Sequence, residues 1–246
     1  MTLTRKLITA AALAAFILAT SLACAQKPAG CGTVNDRNGN TYTTVVMGGD
    51  CWLRENLRTT EYADGRVITP APVQPALACQ DAPNPGLLYN WHSVLKDSEP
   101  TEETDGRVQG PCPDGWHVPS NFEWMNLEDF AGYKDFFRCG DDVFNIAKAL
   151  AFQSCWEAEP EGGASECTPA AETGSNNATG FSALPTGSFW NGTHAGSGTE
   201  AVFWTCSDGG EETAPAHYIH SSSPKFEINC TPKDAFCSVR CVKNKQ

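Results

Sequence analysis

The stretch Cys112–Leu127, CPDGWHVPSNFEWMNL, decides how this chain is read. Pro111 and Pro113 bracket Cys112, and Gly115 turns the chain into a short strand, Trp116-His117-Val118. Pro119 stops that strand, because proline has no N–H for the ladder. Ser120 stands three residues before Glu123, which is the spacing of a capping box. The serine oxygen caps a helix amide and the glutamate reaches back to the serine N–H. Trp124, Leu127 and Ala131 then recur at helical spacing, with Phe130 beside them and Gly132 after them. A cysteine, a histidine and two tryptophans in one loop invite a metal or active-site reading. The punctuation instead predicts a strand fastened to a capped helix.

Working outward, a second helix is expected from about Asp142 to Gln153. Val143, Ala147, Leu150 and Ala151 would form its buried face, with Asp141 or Asp142 as its cap. Upstream, Asn38-Gly39 is a strong hairpin dipeptide, and Thr41–Met47 (TYTTVVM) is rich in β-branched and aromatic residues. Gly48-Gly49-Asp50 turns the chain into Cys51-Trp52-Leu53. Five prolines between Arg66 and Pro85 mark a loop. Glu157–Gly180 is a long polar loop. Short strands follow at Phe181–Pro185, Gly187–Trp190, Ala201–Cys206 and Ala216–His220. Phe226–Cys230 is expected to face Phe236–Val242 across a turn. These signals predict an α+β domain of short antiparallel strands, two helices and long loops.

The first 25 residues read as a signal peptide. Arg5 and Lys6 precede an apolar run, Leu7–Leu22, and small residues follow at Ala23 and Ala25. Cleavage after Ala25 gives a secreted protein, whereas lipidation of Cys24 gives an outer-surface lipoprotein. Residues 26–34 link this signal to a single domain over 35–246. The formal net charge is −12, and loss of Arg5 and Lys6 takes it to −14. Such a surface repels nucleic acid and anionic lipid, so membrane contact is expected only through a lipid anchor. Twelve cysteines in an exported chain predict disulfides. Cys24 does not pair in either fate, which leaves at most five bridges and one thiol. No Cys-x-x-Cys knuckle occurs for zinc.

Several segments in order carry a resemblance. They are Asn38–Tyr42 (NGNTY), Trp52–Arg58 (WLRENLR), Gly86–Trp91 (GLLYNW), Cys112–Ser120 with Glu123-Trp124, Thr179–Pro185 (TGFSALP), Phe203–Thr205 and Ser238–Lys243 (SVRCVK). Together they resemble the Fibrobacter succinogenes major paralogous domain family, from about Asn35 to Lys243. The resemblance implies a C-type-lectin-like fold, shared with formylglycine-generating enzymes, and export from a bacterial cell. It also implies that the strand before the first helix lies beside the last strand. The chain departs from the family in its extra cysteines and in two inserts, Ile68–Pro85 and Cys155–Asn177.

If those two strands are neighbours, Cys112 can bridge Cys241. Cys230 and Cys237 flank a turn and are candidates to pair across it, and Cys155 with Cys167 would close the second insert. Cys237 and Cys241, four apart in one strand, are too distant to bond. A reactive cysteine pair of the formylglycine-generating kind would need those two. Calcium is a possible ligand of a lectin-like fold, but Glu99-Pro100-Thr101 and Trp190-Asn191-Gly192 are incomplete motifs. No other cofactor is expected. His117 and His92 read as packed histidines, His194 as solvated, and His217 and His220 as facing opposite sides of a strand. No nucleophile triad order stands out. Five of the seven tryptophans fall in apolar runs. Trp156 and Trp190 flank polar loops, and with Asn191 they are the expected ligand-binding residues, suited to stacking on sugar rings. The expectation is an exported binding module for polysaccharide or a surface protein, without catalysis. The alternatives are an oxidase or hydrolase, and a purely structural surface protein.

Overall fold

A computed structural model describes residues 29–104, 108–159 and 165–245. The signal peptide and Cys24 lie outside the described residues. Twelve strands, three short α-helices and one 3-10 turn (Thr173–Ser175) are the regular elements of the described part.

The first strands follow their turn chemistry. β1 (Thr33–Asn35) pairs antiparallel with β2 (Thr41–Met47), with Asn35 opposite Thr41, so the Asn38-Gly39 turn lies between them. β1 thus begins inside the stretch expected to be linker. Gly39 has φ +80°, which glycine adopts without strain. β2 then pairs with β3 (Asp50–Leu53) through the Gly48-Gly49 turn. β5 (Trp116–His117) lies antiparallel to β12 (Val242–Lys243), with Val242 opposite His117. β12 also pairs with β3, giving a five-stranded sheet ordered β1-β2-β3-β12-β5.

The second sheet is larger. It contains β4 (Leu88–Asn90), β6 (Ser188–Trp190), β7 (Thr193–Ala195), β8 (Glu200–Trp204), β9 (Thr213–His220), β10 (Phe226–Pro232) and β11 (Phe236–Ser238). Its order is β10-β9-β8-β11-β6-β7, with β4 also paired to β11. The expected pairing of Phe226–Cys230 with the last strand does not occur, because β10 pairs with β9. The last strand itself is divided. β11 belongs to the large sheet, β12 to the small one, and Val239–Cys241 cross between them. β11 runs parallel to β8 at Ser238 and Phe203, so the strands are not all antiparallel.

The helices are α1 (Trp91–Leu95), α2 (Asn121–Gly132) and α3 (Ala147–Leu150). α2 is the capped helix. Its box is closed in both directions, and Trp124, Leu127 and Ala131 are buried. The second expected helix shrinks to α3, four residues long. Asp142 turns its carboxylate back to the Phe144 N–H instead of capping a helix. The Ala147 N–H bonds the Pro224 carbonyl, and Ala151 forms a bridge with Ala183. Tertiary hydrogen bonds thus claim both ends of the segment. The Phe181–Pro185 stretch likewise makes only that isolated bridge and no strand. The domain is therefore mostly β, built on two sheets, which corrects the expected lectin-like α+β domain with two helices.

Alternation along β8 serves two cores. Val202 and Trp204 pack into a cluster with Tyr89, Trp91 and Trp116. Ala201 and Phe203 pack on the other face with Trp52, Trp124 and Phe181. A strand apolar on both sides is what a fully covered sheet requires.

Four disulfides fasten the described chain. Cys112 is joined to Cys241, with Cα atoms 5.9 Å apart. Cys31 joins Cys51, Cys79 joins Cys155, and Cys139 joins Cys167. Cys155 and Cys167, expected to close the insert on itself, instead tie it to two other segments. Cys206, Cys230 and Cys237 are free, so Cys230 and Cys237 do not pair. Among the described residues this makes four bridges and three thiols, within the limit of five bridges.

Candidate functional site

Arg240 organises the surroundings of a groove. It is fully buried, and four of its donor contacts are resolved. Nε donates to Asn56 Oδ1 at 2.7 Å, Nη1 to the carbonyls of Leu53 and Phe181, and Nη2 to the Ser182 carbonyl. The guanidinium also lies over the Phe181 ring, 4.4 Å from its centroid. Burial pulls its pKa down to about 9, partly offset by Glu55 nearby. It therefore stays cationic at neutral pH, answered by carbonyl dipoles. In this way the Trp52–Arg58 segment and the Phe181–Leu184 segment are drawn to one cation.

These two segments form walls of a groove of about 380 Å³. Thr41 and Thr43 of β2 contribute, as do Arg54, Glu55 and Arg58 from the chain after β3. Ser182 and Leu184 come from the second segment, with Phe152 just past α3. The last wall is Asp81–Asn84, from the proline-rich insert. The Cys79–Cys155 bond ties that insert to the chain three residues beyond Phe152.

Three charged groups in the groove, Arg54, Glu55 and Arg58, are positioned and partly free. Arg54 donates through Nε to the Gly180 carbonyl at 2.9 Å. Arg58 donates through Nη2 to the Thr41 carbonyl and stacks on Tyr42, 4.5 Å from the ring centroid. One N–H anchors each guanidinium, which leaves the rest of each fork for a ligand. Glu55 accepts from the Thr43 N–H and hydroxyl, one to each oxygen. Beneath Arg58, the Tyr42 hydroxyl donates to Asp36 and accepts from the Arg58 N–H. Burial and the Asp36 contact hold that phenol well above its usual range. The result is a polar recess with an apolar side formed by Pro83, Phe152 and Leu184.

The residues expected to bind ligand are not together in this groove. Trp156 is buried in the second core, with its indole N–H unpartnered among the described residues. Burial removes it from the role of an exposed stacking platform. Trp190 is exposed at 48%, at the end of the β6–β7 hairpin. Asn191 forms the turn there, with φ +49°. The groove residues Arg54 and Arg58 lie in the WLRENLR segment. Their sequence signal was three charged residues in an apolar stretch without a helix to carry them.

The histidines divide by environment. His117 is buried between Glu123 Oε1, 2.9 Å from Nε2, and Asn244 Oδ1, 2.8 Å from Nδ1. Burial alone would lower its pKa, but the Glu123 contact prevails and raises it. His217 stacks between Trp124 and Phe226, and burial lowers it to about 3. Both are packing residues. His92 is exposed rather than packed. The two buried thiols are quiet as well. Burial pushes Cys206 up to about 12 and Cys237 higher still, so both remain protonated. Cys241 is spent in a disulfide with Cys112, so it does not form a reactive pair with Cys237. No group of three or more metal-ligating side chains occurs among the described residues.

A family model described as the Fibrobacter succinogenes major domain matches residues 45–243. No curated protein and no solved structure matches the chain.

Proposed function

The chain belongs to the Fibrobacter succinogenes major domain family, and from that premise we propose that it is an exported, non-catalytic binding domain whose groove takes a polysaccharide segment. The observation that carries this reading is the groove itself. Segments that bear the family resemblance form two walls, and the proline-rich Asp81–Asn84 stretch forms a third. Guanidinium, carboxylate, amide and hydroxyl groups face one recess beside an apolar surface. Sugars present hydroxyls around an apolar ring face, and such a lining matches both. Multiple disulfides support an oxidising, extracellular setting. No described helix is long and apolar enough to cross a membrane. Export as a free protein or through a lipid on Cys24 both suit this role.

Asp81 and Asn84 make no side-chain hydrogen bond among the described residues, so replacing them leaves the scaffold intact. A glycan array is the test, followed by calorimetry on any hit. The double variant Asp81→Ala/Asn84→Ala is expected to weaken binding about tenfold, or about 1.4 kcal/mol, with an unchanged melting temperature. Loss of binding in Trp190→Ala but not in the double variant would move the site to the β6–β7 hairpin. An array without hits would remove the polysaccharide reading.

A further inference from the structure

A second surface lies at the edge of the large sheet. Among the described strands β10 pairs only with β9, so its other side is open. The direction of its backbone groups follows from the register. Cys230 stands opposite Pro215, and the Pro215 carbonyl is turned toward β8, accepting from the Thr205 N–H. Cys230 therefore points its own N–H and C=O away from β9. By alternation Ile228 and Phe226 do the same. The Phe226 N–H is indeed met from outside the sheet, by the Phe144 carbonyl. Among the described residues, Ile228 and Cys230 are left with open donors and acceptors between Lys225 and Pro232.

The same edge borders a groove of about 440 Å³. Its lining includes Glu128 of α2, Phe144, Phe226 and Ile228. Phe144 and Ile228 are half exposed, at 49% and 48%. On α2, Phe122 and Met125 extend the row of Glu128 at three-residue spacing, and both are exposed. Glu128 has neither hydrogen bond nor ion pair among the described residues. The nearby cation, Lys225, is paired with Asp142 instead. Desolvation pushes the Glu128 carboxyl up to about 7. A carboxylate half-withdrawn from water and without a cation is costly in the free protein.

We propose that the open edge of β10 and the groove holding Glu128 form a docking site at which an extended polypeptide bearing a basic side chain adds as a further strand. The main chain of the partner satisfies Ile228 and Cys230, its apolar side chains cover Ile228 and Phe144, and its lysine or arginine neutralises Glu128. Charge selects a foreign basic segment over a second copy of this chain. Two copies, each at net charge −12, repel. Pairing of two β10 edges about Cys230 would also set Pro232, which has no N–H, opposite Ile228.

The probe is a synthetic peptide of about eight residues, alternating threonine and valine around a central lysine, with binding followed by fluorescence anisotropy on the folded full domain. Ile228→Pro removes an outward N–H that β9 does not use, so the fold persists and affinity falls about tenfold. Glu128→Gln removes the preference for the lysine peptide over its glutamate counterpart, and this holds whether or not the proline variant folds. Methylating alternate peptide nitrogens weakens binding in one register and spares the other. Equal binding to wild type, Ile228→Pro and Glu128→Gln overturns the proposal. So does absence of binding at millimolar peptide, or a chain found to be a dimer joined through Cys230.

Discussion

Arg240 is the side chain on which most local geometry depends. Its removal would strip donors from three carbonyls and from Asn56 at once, all within a buried site. Each unsatisfied buried acceptor costs about 1–3 kcal/mol. Arg240→Met is accordingly expected to lower stability in urea by about 3 kcal/mol or more, and a loss below about 1 kcal/mol would contradict this role. His117 gives a residue-scale prediction in pH. Its folded pKa is raised by Glu123, so its contribution is complete below the unfolded value of about 6.5. The contribution fades as pH rises through the folded pKa. His217 has the opposite sign, since its depressed pKa destabilises the fold as pH drops below about 6.5. The informative quantity is therefore the difference between wild type and His117→Gln. Their gap in melting temperature should widen from pH 8 down to about pH 6.

Among the elements, α2 shows agreement between local and distant forces. Ser120 and Glu123 close the capping box, and the same glutamate meets His117 from β5. The cap thus joins a helix to the strand that feeds it. Ser120→Ala is expected to cost about 1 kcal/mol by equilibrium denaturation. Glu123→Gln should cost more, because it weakens the cap and the His117 contact together. If the two variants lose the same amount, the link between cap and strand adds nothing. α3 shows the reverse case. The sequence around it has helical periodicity, yet Pro224 and Ala183 take the backbone groups at its two ends. Periodicity reports which face is buried, and both Ala147 and Leu150 are buried. It does not report whether a neighbour offers a better hydrogen bond.

For the whole molecule, the Cys112–Cys241 bond joins the start of the strand–helix unit to the end of the chain. The two cysteines are 129 residues apart, so the bond restricts the unfolded chain strongly. Replacing both with alanine is expected to reduce stability by about 4 kcal/mol in the chain-entropy view, read from the urea midpoint. A reduction below about 1 kcal/mol would show that β5 stays beside β12 without it. Cys79–Cys155 has a different task, because it tethers the insert that walls the groove. Its removal should weaken ligand binding more than it lowers the melting temperature.

The sequence by itself determined what neighbours along the chain decide. The turn at Asn38-Gly39, the capped start of α2, the buried stripe of Trp124, Leu127 and Ala131, and the apolar β8 were all legible. Each depends on groups a few residues apart. The placement of β5 beside β12 followed from the family resemblance. The tertiary structure alone decided the partner of β10, the division of the last strand between two sheets, and the pairing of Cys79, Cys139, Cys155 and Cys167. It alone also brought Arg54, Arg58, Asp81 and Ser182 to one groove and buried Trp156. These outcomes depend on which distant donor meets which acceptor. A run of residues specifies what it needs to bury and bond, but the partner is settled only when the sheets assemble.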